Sequence, residues 1–476
     1  MKRTVCWILM LSMLAGAFAA CKSDPKQESP STGTTAAGDT SAVTPAETEA
    51  PDAGYGGETV SILFQDNGLF RYDVSLSDDV TGELVSDAIH ERNMKTQEDL
   101  NVKLEWIPRE NDWDQYPADV EINIMAGEGP SDLILFEASR CINMALDGRF
   151  YEVSDLPHIS YDQPWWHRGL MESLMVNGKT YMLTGGNSLA TWVNTLVTIF
   201  NKELYTNVFG DVNQLYDLVA ANQWTFDKLL EISSAVYVDN NGDGKRDSQD
   251  TYGCVTVGGV ATALTRTSGL TFEKTDDNGK LVLDIYNDQV VNMVDLLNKI
   301  FWGGEASYHD NWDYNTKGHF SEGRSLFVFN NLEVYSSEEL RSMDVAYGVI
   351  PDPKLDETVE YFSYTTPVVM VLPITLPTER FDVCGAVLEK LAQEGYQNVI
   401  PAWYEIAMKK KIADHVRDSE MLDLIYQKLN VSKFCVVFPA YFYEVVESRI
   451  SSKKYSSYYK SRQNAMEQQW AEMFNK

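Results

Sequence analysis

The sequence predicts an α/β protein of more than one domain, and three observations carry that reading. Short apolar runs rich in β-branched and aromatic residues (TVSILF, KLEWIP, SDLILF) alternate with helical stretches, LVSDAIHERNMKTQEDLN and ADVEINIMAG. Such alternation is the signature of a parallel sheet with helices on its faces. The second half repeats it: TLVTIFN, CVTVGG, SLFVFN, VAYGVIP and TTPVVMVLPI read as strands, VVNMVDLLNKIFW and DVCGAVLEKLAQEG as helices. Finally, 476 residues exceed what one ordinary core organises, so two domains are expected. From about Ala402 the chain reads as mainly helical, and it carries no tandem repeat.

The N-terminus, MKRTVCWILMLSMLAGAFAAC, has a basic start, an apolar core and small residues before Cys21. This is a secretion signal, its core shorter than the ~20 residues of a membrane span. FAAC is similar to a lipoprotein signal, with residues 1–20 removed and Cys21 lipidated. Phe18 departs from the usual Leu, and Ala17-Phe18-Ala19 offers an alternative cleavage site that would release a soluble protein. Residues 21–57 are rich in Ser, Thr, Pro, Ala and Gly, lack the apolar groups for a core, and read as a disordered tether. Anchoring at the extracellular face of the cell membrane, through lipid only, follows.

Lys and Arg number 39 against 70 Asp and Glu, a net charge of −31. Nucleic acid is excluded as a partner, because phosphate would be repelled and no basic stripe exists. The charge favours a soluble monomer. Cys141, Cys254, Cys384 and Cys435 are scattered without CxxC spacing and read as buried apolar groups.

One short stretch carries metal chemistry. DNNGDGKRDSQD (239–250) places Asp239, Asn241, Asp243, the Lys245 carbonyl, Asp247 and Asp250 at the six ligand positions of an EF-hand-type loop, with Gly244 at the turn. Asp250 stands where Glu usually gives two oxygens. A helix from Phe226, capped by Thr225, precedes the loop; a β-rich run follows, so the second helix of an EF-hand is missing. A structural Ca²⁺ clip is expected, with a metal-free turn and a regulatory calcium switch as the alternatives.

Several segments, in order, resemble extracellular solute-binding proteins of family 1, the receptors of carbohydrate-type ABC importers. They are IMAGEGPSDLILF, PWWHRGLMESLMVNGKTYMLTGGNS with TLVTIFNKELY, WTFDKLL, the DNNGDG loop, and PAWYEIAMKKKIADHVRDSEMLDLIY. The resemblance implies a two-lobed periplasmic-binding-protein-like fold of type II with an interlobe ligand cleft. It puts 58–192 and 346–400 in the N-terminal lobe, and 193–345 and 401–476 in the C-terminal lobe. It further implies a sugar, oligosaccharide or similar polar solute as ligand, ABC permease subunits as partners, and no chemistry by the chain itself.

A sugar needs flat rings for its C–H faces and amides or carboxylates for its hydroxyls, set at strand ends. The candidates are Gln65, Asp66 and Asn67 after the first strand, Glu137 after SDLILF, and Asn187, Trp192 and Asn194 near the first crossing. Asn330 and Asn331 follow SLFVF, and Trp166, Trp403 and Tyr404 supply further rings. Trp165 and Trp224 are assigned to packing. Catalytic motifs are wanting: the six histidines form no H-E-x-x-H, GKT at 178–180 lacks the glycine of a P-loop, and GEG at 127–129 follows a helix. Two S-x-x-K matches, at Ser451 and Ser457, have no Lys-Thr-Gly partner. Two readings from other classes stay open, a secreted carbohydrate-active enzyme with a structural calcium site and a calcium-dependent surface adhesin.

Overall fold

In a computed structural model, the structure describes residues 54–474 apart from 67, 69, 75–80, 111–113, 127–130, 257–262, 305, 310–315, 337–339, 341 and 410–415. The leader, Cys21, the tether up to residue 53, Asn67 and the GEG stretch therefore lie outside the described residues.

Each half of the chain builds a sheet. The first contains β1 (Glu58–Gln65), β2 (Val102–Arg109) and β3 (Leu133–Glu137), with the late strand β12 (Val368–Val371) at its edge, in the order β12-β3-β1-β2. β1 runs parallel to β2 and β3, whereas β12 is antiparallel to β3. A central parallel strand is covered on both faces, so the inner stretch of β1, Ile62–Phe64, is apolar without a break. In β1, Val60, Ile62 and Phe64 point towards Trp165, Trp166 and helix Phe381–Glu394, while Leu63 faces helices Tyr116–Met125 and Ala138–Leu146. The second sheet joins β4 (Leu196–Asn201), β5 (Tyr252–Thr256), β8 (Ser307–His309), β9 (Ser325–Asn331) and β10 (Tyr347–Ile350), in the order β10-β4-β9-β5-β8. The remaining strands are a hairpin, β6 (Glu273–Thr275) with β7 (Leu281–Leu283), and a short pair, β11 (Ser363–Tyr364) with β13 (Leu429–Asn430).

Two boundaries differ from expectation. VAYGVIP, expected in the N-terminal lobe with the rest of 346–400, pairs antiparallel with β4 from Tyr347↔Asn201 to Ile350↔Thr198. Its backbone groups find their ladder only there, so the chain leaves the second sheet after Ile350. The helical end, expected in the C-terminal lobe from 401, divides its contacts. Trp403 of helix Ile400–Lys409 packs in one cluster with Ala88 and Ile89 of helix Leu84–Leu100. Phe434–Val437 in helix Lys433–Val437 pack with Cys141, Ile142 and Ala145. Apolar side chains at the inner faces of both helices leave no other burial as favourable.

The described chain begins at a clasp within the 21–57 stretch expected to be a disordered tether, because Tyr55 and Gly57 find fixed backbone partners there. The Tyr55 amide donates to the Leu100 carbonyl at 2.8 Å and the Gly57 amide to the Asn101 carbonyl at 2.7 Å. Tyr55 Oη donates to Asp382 Oδ2 at 2.8 Å, and His158 Nε2 lies 2.9 Å from the other oxygen of that carboxylate. The four cysteines of the folded part are buried, as their scatter suggested, and all four are free thiols. Among the described residues no helix is long and apolar enough to cross a membrane.

Candidate functional site

The two sheets are joined by residues 188–195 going out and 351–367 coming back, and the candidates gather around those crossings. In the first sheet the parallel strands end at Gln65, Arg109 and Glu137, with Gln65 opposite Arg109. Loops leaving such carboxyl ends are where open α/β sheets hold ligands. Gln65 is buried; Asp66 is exposed and its amide donates to the Arg109 carbonyl at 3.0 Å. Glu137 is buried and caps helix Ala138–Leu146, accepting from the Ser139 amide at 2.9 Å and from the Ser139 hydroxyl. Burial pushes its carboxyl up, against the pull of those bonds.

From the second sheet, β9 ends at Asn330 and Asn331 beside the start of β4. Asn331 Nδ2 donates to Asn194 Oδ1 at 3.3 Å, Asn194 Nδ2 donates to the Ala190 carbonyl at 2.7 Å, and Asn330 Oδ1 accepts from the Asn331 amide at 2.8 Å. Two side-chain amides from two chain segments, Asn194 and Asn331, thus meet at one strand edge with Asn330 next along the strand, and each retains capacity for further hydrogen bonds.

The rings divide. Trp192, Trp403 and Tyr404 come together: Trp192 stacks on Tyr404 at 5.5 Å and 23°, and meets Trp403 edge-on at 6.3 Å. Tyr426, which the sequence did not single out, closes the group at 5.2 Å from Trp192. These rings pack on one another rather than forming an open shelf. Buried with them, Trp192 Nε1, Tyr426 Oη and both side-chain polar atoms of Asn187 have no partner among the described residues. Trp166 belongs elsewhere. It is buried in the first core, its Nε1 2.7 Å from Glu389 Oε2, while Trp165 Nε1 donates to Oε1 at 3.0 Å. A single buried carboxylate satisfies both indoles, so Trp166 is a core residue and not a cleft ring. Trp224 packs as expected, donating to the Pro351 carbonyl at 3.0 Å.

The crossing itself is a buried polar network. Asp73 Oδ1 accepts from the Ala190 amide at 3.0 Å and Oδ2 from the Ser188 hydroxyl at 2.9 Å. Arg92 Nη2 donates to the Asp73 carbonyl at 2.6 Å. Thr184 and Thr191 both donate to the Val368 carbonyl, at 2.9 and 3.0 Å, tying the outgoing crossing to the returning one. Burial lifts the Asp73 carboxyl to about 6 and lowers the Arg92 guanidinium to about 10. Arg71 and Tyr72, a few residues past β1, reach Glu333, which follows β9. Sequence reasoning missed this bridge; its only signal was a basic and an acidic residue just past two strand ends.

The 239–250 loop closes on itself. Asp239 accepts from the Gly242 and Gly244 amides at 2.7 and 2.9 Å, and Asp243 from the Lys245 amide at 2.8 Å. Asp250 is fully buried and serves as the anchor, accepting from Tyr237 Oη at 3.1 Å and the Asn240 amide at 3.2 Å. Among the described residues no three acidic, imidazole or thiol side chains converge as a metal cluster. The donor set of Asp239, Asn241, Asp243, the Lys245 carbonyl, Asp247 and Asp250 is nonetheless all oxygen, the chemistry Ca²⁺ requires.

The profile of the family described as bacterial extracellular solute-binding protein matches residues 92–381. This chain belongs to that family. Among solved structures it is similar to the GacH receptor of Streptomyces glaucescens, at 12% identity over 88% of this chain and 99% of that one, TM-score 0.54. An ABC substrate-binding protein from Listeria monocytogenes, in complex with cycloalternan, matches at 11% identity over 86% and 98%, TM-score 0.53. A cyclo/maltodextrin-binding protein complexed with maltotetraose matches at 15% identity over 83% and 92%, TM-score 0.54. At these identities the likeness shows the two-lobed fold. No curated protein sequence matches this chain.

Proposed function

We propose that this protein is the receptor of an ABC importer. It takes a carbohydrate or similar small polar solute between its lobes, delivers it to the membrane permease, and is held at the extracellular face of the membrane by a lipid on Cys21. The carrying observation is the contact between the Asn194 and Asn331 side-chain amides at a strand edge beside the crossings, with Asn330 adjacent in the strand. Neutral amides pair with hydroxyls without the desolvation cost of a buried charge. Family membership and neighbours bound to acarbose, cycloalternan and maltotetraose support a sugar. The chain acts as a monomer and performs no chemistry.

Titration of the secreted chain with oligosaccharides, amino acids and dipeptides, followed by calorimetry and tryptophan emission, tests this. One sugar class should bind without turnover, and Asn331→Ala should weaken it at least about tenfold, the loss of a buried hydrogen-bonding group. Binding of a peptide alone, or hydrolysis of a bound sugar, would overturn the reading.

Calcium is proposed as a brace of the second lobe, held by Asp239, Asn241, Asp243, the Lys245 carbonyl, Asp247 and Asp250. Chelation with EDTA should lower Tm by a few degrees, since an ion at a hundred times its Kd contributes about 2.7 kcal/mol. Solute affinity measured at low temperature should stay unchanged; affinity falling in step with calcium occupancy would make the ion part of the binding site instead.

A further inference from the structure

We infer that the short helix Phe70–Tyr72, with Asp73 behind it, couples the solute site to the hinge, and that Arg71 is a positioning residue for closure. This rests on the receptor reading above. The segment begins four residues past Asp66, which with Gln65 is a candidate contact at the end of β1. One end holds the crossing: Asp73 accepts from the Ser188 hydroxyl and the Ala190 amide, at the start of helix Leu189–Val193. The other end holds the opposite lobe, where Arg71 forms an ion pair with Glu333 and Tyr72 Oη donates to the same carboxylate at 3.2 Å. Arg71 Nη2 also donates to Tyr72 Oη at 2.8 Å, so the three side chains form one unit. Arg71 follows β1 of the first sheet and Glu333 follows β9 of the second, 262 positions apart in the chain, so the pair survives only while the lobes meet. A solute that displaces the end of β1 therefore moves a lever already attached to hinge and far lobe.

Arg71 and Glu333 have side-chain exposures of 57% and 35%, so the pair is worth little to folding, and replacing either leaves the cores untouched. Its effect falls on the balance of open and closed forms, where a contribution of this size shifts the ratio about fivefold.

The test needs no solute. Small-angle scattering should be recorded for the secreted chain and for Arg71→Glu, Glu333→Arg and the double exchange. Each single variant should keep its Tm and raise the radius of gyration by about 1 Å over the ~22 Å expected for a chain of this size. The double exchange should restore the compact value. Single variants indistinguishable from the parent, or a double exchange as expanded as the singles, would sink the coupling. Because no ligand enters, that failure is separate from a failure to bind sugar. Once a binding sugar is in hand, the singles should weaken it about fivefold and the exchange recover it.

Discussion

Replacing Lys202 by methionine should destabilise the second lobe by about 3–5 kcal/mol, the cost of stranding a buried charge. Lys202 Nζ lies 2.6 Å from Asp418 Oδ2, with side-chain exposures of 8% and 0%. Asp418 Oδ1 also accepts from Tyr216 Oη at 2.7 Å and the Val349 amide at 3.0 Å, so one carboxylate ties together two helices and β10. Methionine keeps the length of the stem and removes the only cation paired with that carboxylate among the described residues. Native domains are stable by about 5–15 kcal/mol in total, so the loss is large. Urea denaturation of Lys202→Met and of Lys202→Met with Asp418→Asn gives the measure. The double variant, with no buried ion left, should recover most of the loss; a single variant within about 1 kcal/mol of the parent would show that the pair is not buried in solution.

Gly395→Ala should be as damaging through backbone geometry alone. An added Cβ would lie 1.8 Å from the Gly186 carbonyl oxygen, and one on Gly186 would lie 2.1 Å from the Ala392 carbonyl oxygen. Here the TGGNS stretch entering the crossing lies directly on the chain where helix Phe381–Glu394 passes into the π-turn Gly395–Val399. Backbone atoms have no rotamer into which to retreat. Relief requires the crossing to lift off the helix, with loss of more than about 3 kcal/mol or of soluble expression, as for severe overpacking. Gly169→Ala is the control: a Cβ there meets nothing within 4 Å. Thermal melts of the two variants should differ by many degrees, and equal melts would mean that the close approach is absent.

The strands were legible because burial on both faces leaves only apolar choices, and SDLILF or SLFVFN admit no other reading. The helix around LVSDAIHERNMKTQEDLN was legible from its mix of polar and apolar positions, of which Ala88, Ile89 and Leu100 are buried, and Thr225 caps its helix as its position promised, accepting from the Lys228 amide. Partnership was not legible. Nothing near VAYGVIP says which sheet it joins, since a strand's neighbours are fixed by the whole chain. The site divides the same way. Asn194 and Asn331 were picked out because they sit at strand ends, and the structure brings their side chains together. The sorting of the tryptophans failed at Trp166, because Glu389 is 223 residues away and no local pattern announces a shared carboxylate. Arg71 and Glu333 were missed for that reason as well.

The clasp at Tyr55 has a mechanical consequence. Strand β1 begins at Glu58 and ends at Gln65, so the point where upstream chain joins the fold is roughly 25 Å from the edge that holds the solute candidates. Any pull transmitted through that chain is taken up by the Leu100 and Asn101 carbonyls and by Asp382, on the rim of one lobe. The crossings at 188–195 and 351–367 lie off that path, so a tether pulling at residue 55 would load one lobe and leave the joint between the sheets unburdened.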